Sequence, residues 1–165
     1  MTASPIGFAA RASRTPIRRA LLAGATVGVL DGLAAVLFYT GALHVPPARI
    51  FQGIGRALLG MAAFTGGTST ALLGLAMHFG VAIGWAVVYA VLYSRSPALS
   101  QMTRTTGGAL AVGAVYGAFV DLAMTFVVVP LTRIGPSHSP ASIFVAMLVI
   151  HMVVVGPPIA LIVKE

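Results

Sequence analysis

Two of the three acidic residues in the chain, Asp31 and Asp121, fall inside long apolar runs, and so do two of its four histidines, His78 and His151. Imidazoles exchange protons near neutral pH, and carboxylates do so when their surroundings are tuned for it. Inside a bilayer such groups are costly to bury, face the interior of a helix bundle, and mark proton or ion pathways. Chemistry of this kind requires the groups to meet, which depends on the elements that carry them.

The chain has 165 residues, of which 58% are hydrophobic and only 8% charged. Soluble domains carry about 25% charged residues, so this chain lacks the polar surface to face water, and its solvent is largely lipid. A membrane span needs about 20 apolar residues, and residues 20–43, 70–93, 106–129 and 143–163 meet that need. The expected fold class is all-α: a polytopic membrane protein, a four-helix transmembrane bundle in one domain over residues 20–165. Residues 1–19, basic and rich in Ser, Thr and Pro, read as a disordered cytoplasmic tail. The run from Ala20 to Leu43 is too long for the apolar region of a signal peptide and lacks a small-x-small cleavage site.

The lipid bilayer is the expected partner. A net charge of +7 raises the question of nucleic acid. The arginines, however, sit at the ends of apolar runs and form no basic stripe interleaved with aromatics, so no nucleic-acid partner is expected. The absence of cysteine excludes disulfides, thiolate metal sites and cysteine nucleophiles. There is no HExxH, P-loop or nucleophile elbow, and Ser69, Ser137 and Ser142 have no organised acid–base partner. The chain does not read as an enzyme, and no metal is expected.

The first span carries Gly24, Gly28 and Gly32, a narrow smooth stripe where another helix can approach closely. Asp31 lies on the same stripe and so is expected to point inward. In the third span Ala109, Gly113 and Gly117 repeat this spacing, Asp121 continues the ladder, and Tyr116 takes the place of Asp31. Residues 48–59 have Arg49, Gln52, Gly53 and Arg56 on one face and Ile50, Phe51, Ile54 and Leu58 on the other, the pattern of a short interfacial helix. Its expected role is anchoring, with capping of a cavity as the rival. Gly66 and Gly67 mark a turn, and Thr68, Ser69 and Thr70 are candidate N-caps of the second span. Trp85, at mid-span, is expected to fill the core. In the fourth span Gly156, Pro157 and Pro158 leave carbonyls near Val153 and Val154 without helical partners, which predicts a kink.

Basic residues set an orientation. With the N-terminus inside, seven lie on the inner side (Arg11, Arg14, Arg18, Arg19, Arg95, Arg104 and Lys164) and three outside (Arg49, Arg56 and Arg133). Both termini are therefore expected in the cytoplasm. The two halves read as an internal repeat of helical hairpins: the small-residue stripes match, Ala48–Phe51 echoes Ala141–Phe144, and each half places a histidine on its second helix. His78 and His151 each fall about eight residues, or about 12 Å of helix, below the outer surface. Asp31 lies near mid-membrane and Asp121 in the outer half, so all four groups fall in one layer. The expected pairs are Asp31 with His78 and Asp121 with His151.

Three functions compete on this pattern. The first is a proton- or small-solute-linked pore or carrier built on the four polar groups. The second is a structural or accessory subunit in which they are polar glue between helices. The third, least favoured, is a b-type haem electron carrier with His78 and His151 as axial ligands; otherwise no cofactor is expected. Short glycine-striped helices also suit a homo-oligomer.

The segments PPARIFQGIGRALLGMAAFTGG, TALLGLAMHFGVAI, VVVPLTR and HMVVVGPPIALIV carry a resemblance. The chain resembles, from about Gly24 to Val163, a family of small four-span bacterial inner-membrane proteins without an assigned activity. The resemblance implies a bacterial inner-membrane location and the four-span architecture. It also implies that Asp31, His78 and His151 belong to the family pattern, whereas Asp121 falls where a non-acidic residue is expected.

Overall fold

The computed structural model describes residues 6–136 and 139–164, so Ser137 and His138 of the second external loop lie outside the described residues. Helix α1 spans Ile6–Leu43 and begins upstream of the expected Ala20 boundary. Part of the stretch expected as a disordered tail is thus helical. Its alanines and arginines are strong helix formers, a propensity that its polar composition conceals. α1 stops at His44, which takes the left-handed conformation (φ 56°), while Val45 N–H donates to the Tyr39 carbonyl at 3.0 Å. The bond closes the helix end over a left-handed residue, with histidine where glycine is usual.

Helix α2 (Pro47–Leu59) starts on a proline, whose fixed φ and missing N–H suit a first turn. A 3-10 turn, Gly60–Phe64, leads to α3 (Gly67–Arg95). This helix starts before Thr70, and the expected hydroxyl caps do not form. Ser69 and Thr70 donate instead to the carbonyls of Gly66 and Ala63, each at 2.7 Å. The short α4 (Pro97–Met102) and then α5 (Thr106–Ala123) are capped by Ser96 and Thr105, which accept from Leu99 N–H and Gly108 N–H. α6 (Ala141–Ile150) and α7 (Gly156–Lys164) form the last span together.

Four helical stretches, Pro16–Leu43, Gly67–Arg95, Thr106–Leu131 and Ala141–Lys164, are long and apolar enough to cross a membrane. The protein is a multi-pass, all-α membrane bundle. Large apolar side chains such as Leu37, Leu72, Val115 and Val153 are exposed on it, as lipid contact demands.

Two π turns interrupt the third and fourth spans. Met124–Val128 follows α5, with Val129 N–H bonded to the Met124 carbonyl. His151–Val155 links α6 to α7, with Gly156 N–H bonded to the His151 carbonyl. Both bonds skip one residue more than an α-helix does, and in both cases the next residue is proline, Pro130 or Pro157. Proline has no N–H to continue the ladder, so the residue before it closes a wider ring. The interruption expected at Gly156, Pro157 and Pro158 is thus present, as a π turn on their N-terminal side.

Glycines set the helix spacing. On α1, Gly24 lies against the Ile83 backbone of α3, Gly28 against the Phe79 ring and Gly32 against His78. On α5, side chains at Gly113 and Gly117 would strike the backbones of Pro157 and His151, and one at Gly156 would strike the Gly113 carbonyl. Towards the end that carries the termini, Ala23, Ala86, Tyr89, Ala109 and Ile159 make a closely packed core.

Helix α2 departs from a simple interfacial helix. Gln52, expected on its water-facing side, is only 5% exposed and donates to the Gly67 carbonyl at 2.9 Å. Gly55 and Gly74 let α2 approach α3 so closely that a side chain at Gly74 would strike the Phe51 carbonyl. That close approach places the Gln52 amide against backbone, where it finds a hydrogen-bond acceptor.

Candidate functional site

Next to the core, residues of α1, α3, α5 and α6 line a cavity of about 570 Å³. Asp31, His78, Asp121 and His151 all line it. The single layer expected from depth is therefore matched by one shared cavity. Its wall is otherwise mostly apolar and aromatic, with Trp85, Phe126, Phe144, Met124 and Met147 among the contributors. Ile54 of α2 reaches it as well, so α2 does contribute to covering the cavity. Trp85 is half-buried: it packs against the core, edge-on to Phe119 at 5.8 Å, and also stands on the cavity wall.

Of the two expected pairs, Asp121 with His151 forms, whereas among the described residues Asp31 and His78 do not pair. His78 Nε2–H donates across the helix seam to the Gly28 carbonyl at 2.9 Å. Gly32, one turn beyond Gly28, makes this possible, because a Cβ there would stand 3.3 Å from His78 Nε2. A carbonyl only accepts, so this bond places the His78 proton on Nε2. Asp31 is half-buried on the cavity wall, and the ion pair among the described residues is not its own.

That ion pair joins Asp121 to His151, with Oδ1 3.2 Å from Nδ1. The acid in doubt from the family resemblance is thus the paired one. Nδ1 also lies 2.8 Å from the Met147 carbonyl of its own helix. Two acceptors converge on Nδ1, so the His151 proton sits there, opposite to the tautomer of His78. The close approach at Gly117, one turn before Asp121, brings α5 against the π turn and the carboxylate within reach of the imidazole.

Asp121 is only 4% exposed, and its Oδ2 is buried without a hydrogen-bond partner among the described residues. A buried carboxylate oxygen left unbonded is strongly unfavourable, by about 1–3 kcal/mol or more for a charged group. This oxygen belongs to a residue of the cavity wall, where a proton, a water or a ligand group can satisfy it. The wall also carries the hydroxyls of Tyr39, of Thr125 in the first π turn and of Ser139. Among the described residues, no three His, Asp or Glu side chains group closely enough to hold a metal ion.

Sequence reasoning missed the two π turns and Tyr39. The proline after each π turn was a visible signal; nothing in the sequence singled out Tyr39. Tyr116, which stands where the repeat places Asp31, donates to the Trp85 carbonyl at 2.7 Å and ties α5 to α3. Set against models of known protein families, curated proteins and solved structures, the chain matches none of them.

Proposed function

We propose that this membrane protein moves protons, alone or coupled to a small solute, with the Asp121–His151 pair as its protonation site. The observation that carries the reading is the buried, unpartnered Oδ2 of Asp121 on the wall of a cavity inside the bundle. Polar groups that serve only as glue between helices have their bonding capacity closed by protein partners; this one is left open towards a space. His151 holds a proton on Nδ1 against the carboxylate, which leaves Nε2 with the lone pair that can take up a second proton, as a relay requires. Asp31 and His78 stand on the same wall as further stations. Following the arginine asymmetry, the reading sets both termini on the cytoplasmic side of a bacterial inner membrane. It assigns no catalytic residue.

The test is an imposed pH gradient across proteoliposomes that contain a pH-sensitive dye. Wild-type protein should speed decay of the gradient, and Asp121→Asn should return it to the rate of protein-free vesicles. A wild-type rate equal to that of empty vesicles, with and without a cavity ligand, would sink the reading.

The accessory-subunit reading draws support from two bonds that join helices, His78 to Gly28 and Tyr116 to Trp85. On that reading Asp121→Asn alters stability and no flux. The haem reading is weaker, since the His78 Nε2 needed as a ligand donates to a carbonyl inside the α1–α3 seam. A visible spectrum of the purified protein beside His78→Ala tests it; a Soret band lost in the variant would revive it.

A further inference from the structure

The composition of the cavity wall narrows what can occupy it. Two carboxyl groups, Asp31 and Asp121, line it, and among the described residues no lysine or arginine does. With His78 and His151 neutral, the wall carries a net negative charge. With one proton held by the Asp121–His151 pair, the charge of Asp31 remains. Arg49, at the same end of the bundle, lies over the Phe64 ring, 5.2 Å from its centroid, and is not part of the wall. Apart from the hydroxyls of Tyr39, Thr125 and Ser139, the rest of the surface is apolar and includes the rings of Trp85, Phe126 and Phe144. Aromatic rings attract desolvated cations, and a volume of about 570 Å³ lies within the usual range for small organic ligands.

We propose that the cavity binds a lipophilic organic monocation, an ammonium or phosphonium with apolar substituents, with Asp121 as its principal counter-charge and Asp31 as the second. An anion finds no countercharge on this wall. A small hydrated metal ion finds no convergent ligand set, and a neutral apolar molecule leaves Asp121 Oδ2 unsatisfied. The cation answers all three features at once: its charge meets the carboxylate, its substituents meet the rings, and its bulk fills the space.

Cation and proton then compete for the same carboxylate. The groups that face Asp121 and His151 are Asp31 and Tyr39 from α1, His78 from α3, and one another. Raising the pH removes protons from this set and strengthens cation binding. The inference deepens the carrier reading by naming the class of solute that would exchange with protons, and it rests on that reading for its membrane role.

Trp85 supplies the readout, because it is the only tryptophan in the chain and lies on the cavity wall. Tetraphenylphosphonium titrated into the full-length protein in mild detergent should change Trp85 fluorescence saturably. The midpoint should be lower at pH 8 than at pH 6, and Asp121→Asn should raise it at least tenfold. Asp31→Asn should raise it less. Should Asp121→Asn fail to fold, wild-type protein alone still decides: a neutral analogue of similar bulk, triphenylphosphine oxide, should bind at least tenfold more weakly. Equal binding of the neutral analogue, no pH dependence, or no saturable signal would each overturn the proposal. Failures of the two readings separate cleanly. Proton movement without phosphonium binding removes only the cation site; phosphonium binding lost in Asp121→Asn, without proton movement, removes only the carrier.

Discussion

The α1–α3 seam and the seam between α5 and the α6–α7 span start from similar ingredients and end differently. Each has a glycine-striped helix, a histidine on the facing helix and an acid near the stripe. In the first seam α3 is unbroken, and His78 donates to backbone, leaving Asp31 on the cavity wall. In the second, a π turn begins at His151, and the imidazole meets Asp121. The difference teaches that a histidine opposite a glycine stripe takes the acceptor the stripe exposes. At Gly28 and Gly32 that acceptor is a bare carbonyl. At Gly117 the stripe meets the His151 backbone, so the ring turns to the acid one turn along. π turns are frequent at functional sites, and both π turns of this chain border the cavity.

The sharpest way to break this comparison is to remove each acid in turn. Asp121→Asn should lower proton movement in proteoliposomes by tenfold or more, and Asp31→Asn by about two- to threefold, since about 1.4 kcal/mol separates each factor of ten. Equal losses would mean that the two halves contribute alike. The glycines come next. Gly117→Ala forces a methyl into the His151 carbonyl and should destabilise the protein by about 1–3 kcal/mol, as overpacking does. Gly32→Ala meets only the edge of the His78 ring and should cost less, read from the two unfolding midpoints in detergent.

Pro157→Ala with Pro158→Ala sharpens the role of the π turn. A regular helix there would turn His151 by about 100° relative to α7, part it from Asp121 and reduce proton movement towards the Asp121→Asn level. Unchanged flux would show that the π turn does not position the imidazole. The smallest effect is expected at His78→Ala, which removes one bond between helices worth about 0.6 kcal/mol by the average for membrane helices. It should shift the unfolding midpoint slightly and leave most of the flux.

Much of the architecture was legible in the residues. Four apolar runs announced four spans, because a lipid solvent leaves little choice of composition. The stripe Gly24, Gly28 and Gly32 announced a close helix contact, and the depth of the four ionisable groups foretold a shared layer. The start of α1 was not legible from composition, which registers polarity and not helix propensity. The burial of Gln52 was not legible either, because it depends on how closely Gly55 lets α2 approach Gly74.

Which of the two expected pairs forms belongs to the tertiary structure alone. Spacing along a helix tells which side chains share a face, but not which acceptor a neighbouring helix presents to them. That choice turns on ångström-scale approach at Gly32 and Gly117 and on the extra residue admitted by each π turn. By itself the sequence determined that this chain spans a membrane four times and carries acids and histidines inside. Only the tertiary structure decided that, of the two expected pairs, Asp121 with His151 is the one that forms, that His78 holds Gly28 instead of Asp31, and that one carboxylate oxygen is left open on the wall of a cavity. Hydrophobic composition acts over whole spans, whereas a hydrogen bond weakens steeply outside a narrow range of distance and angle.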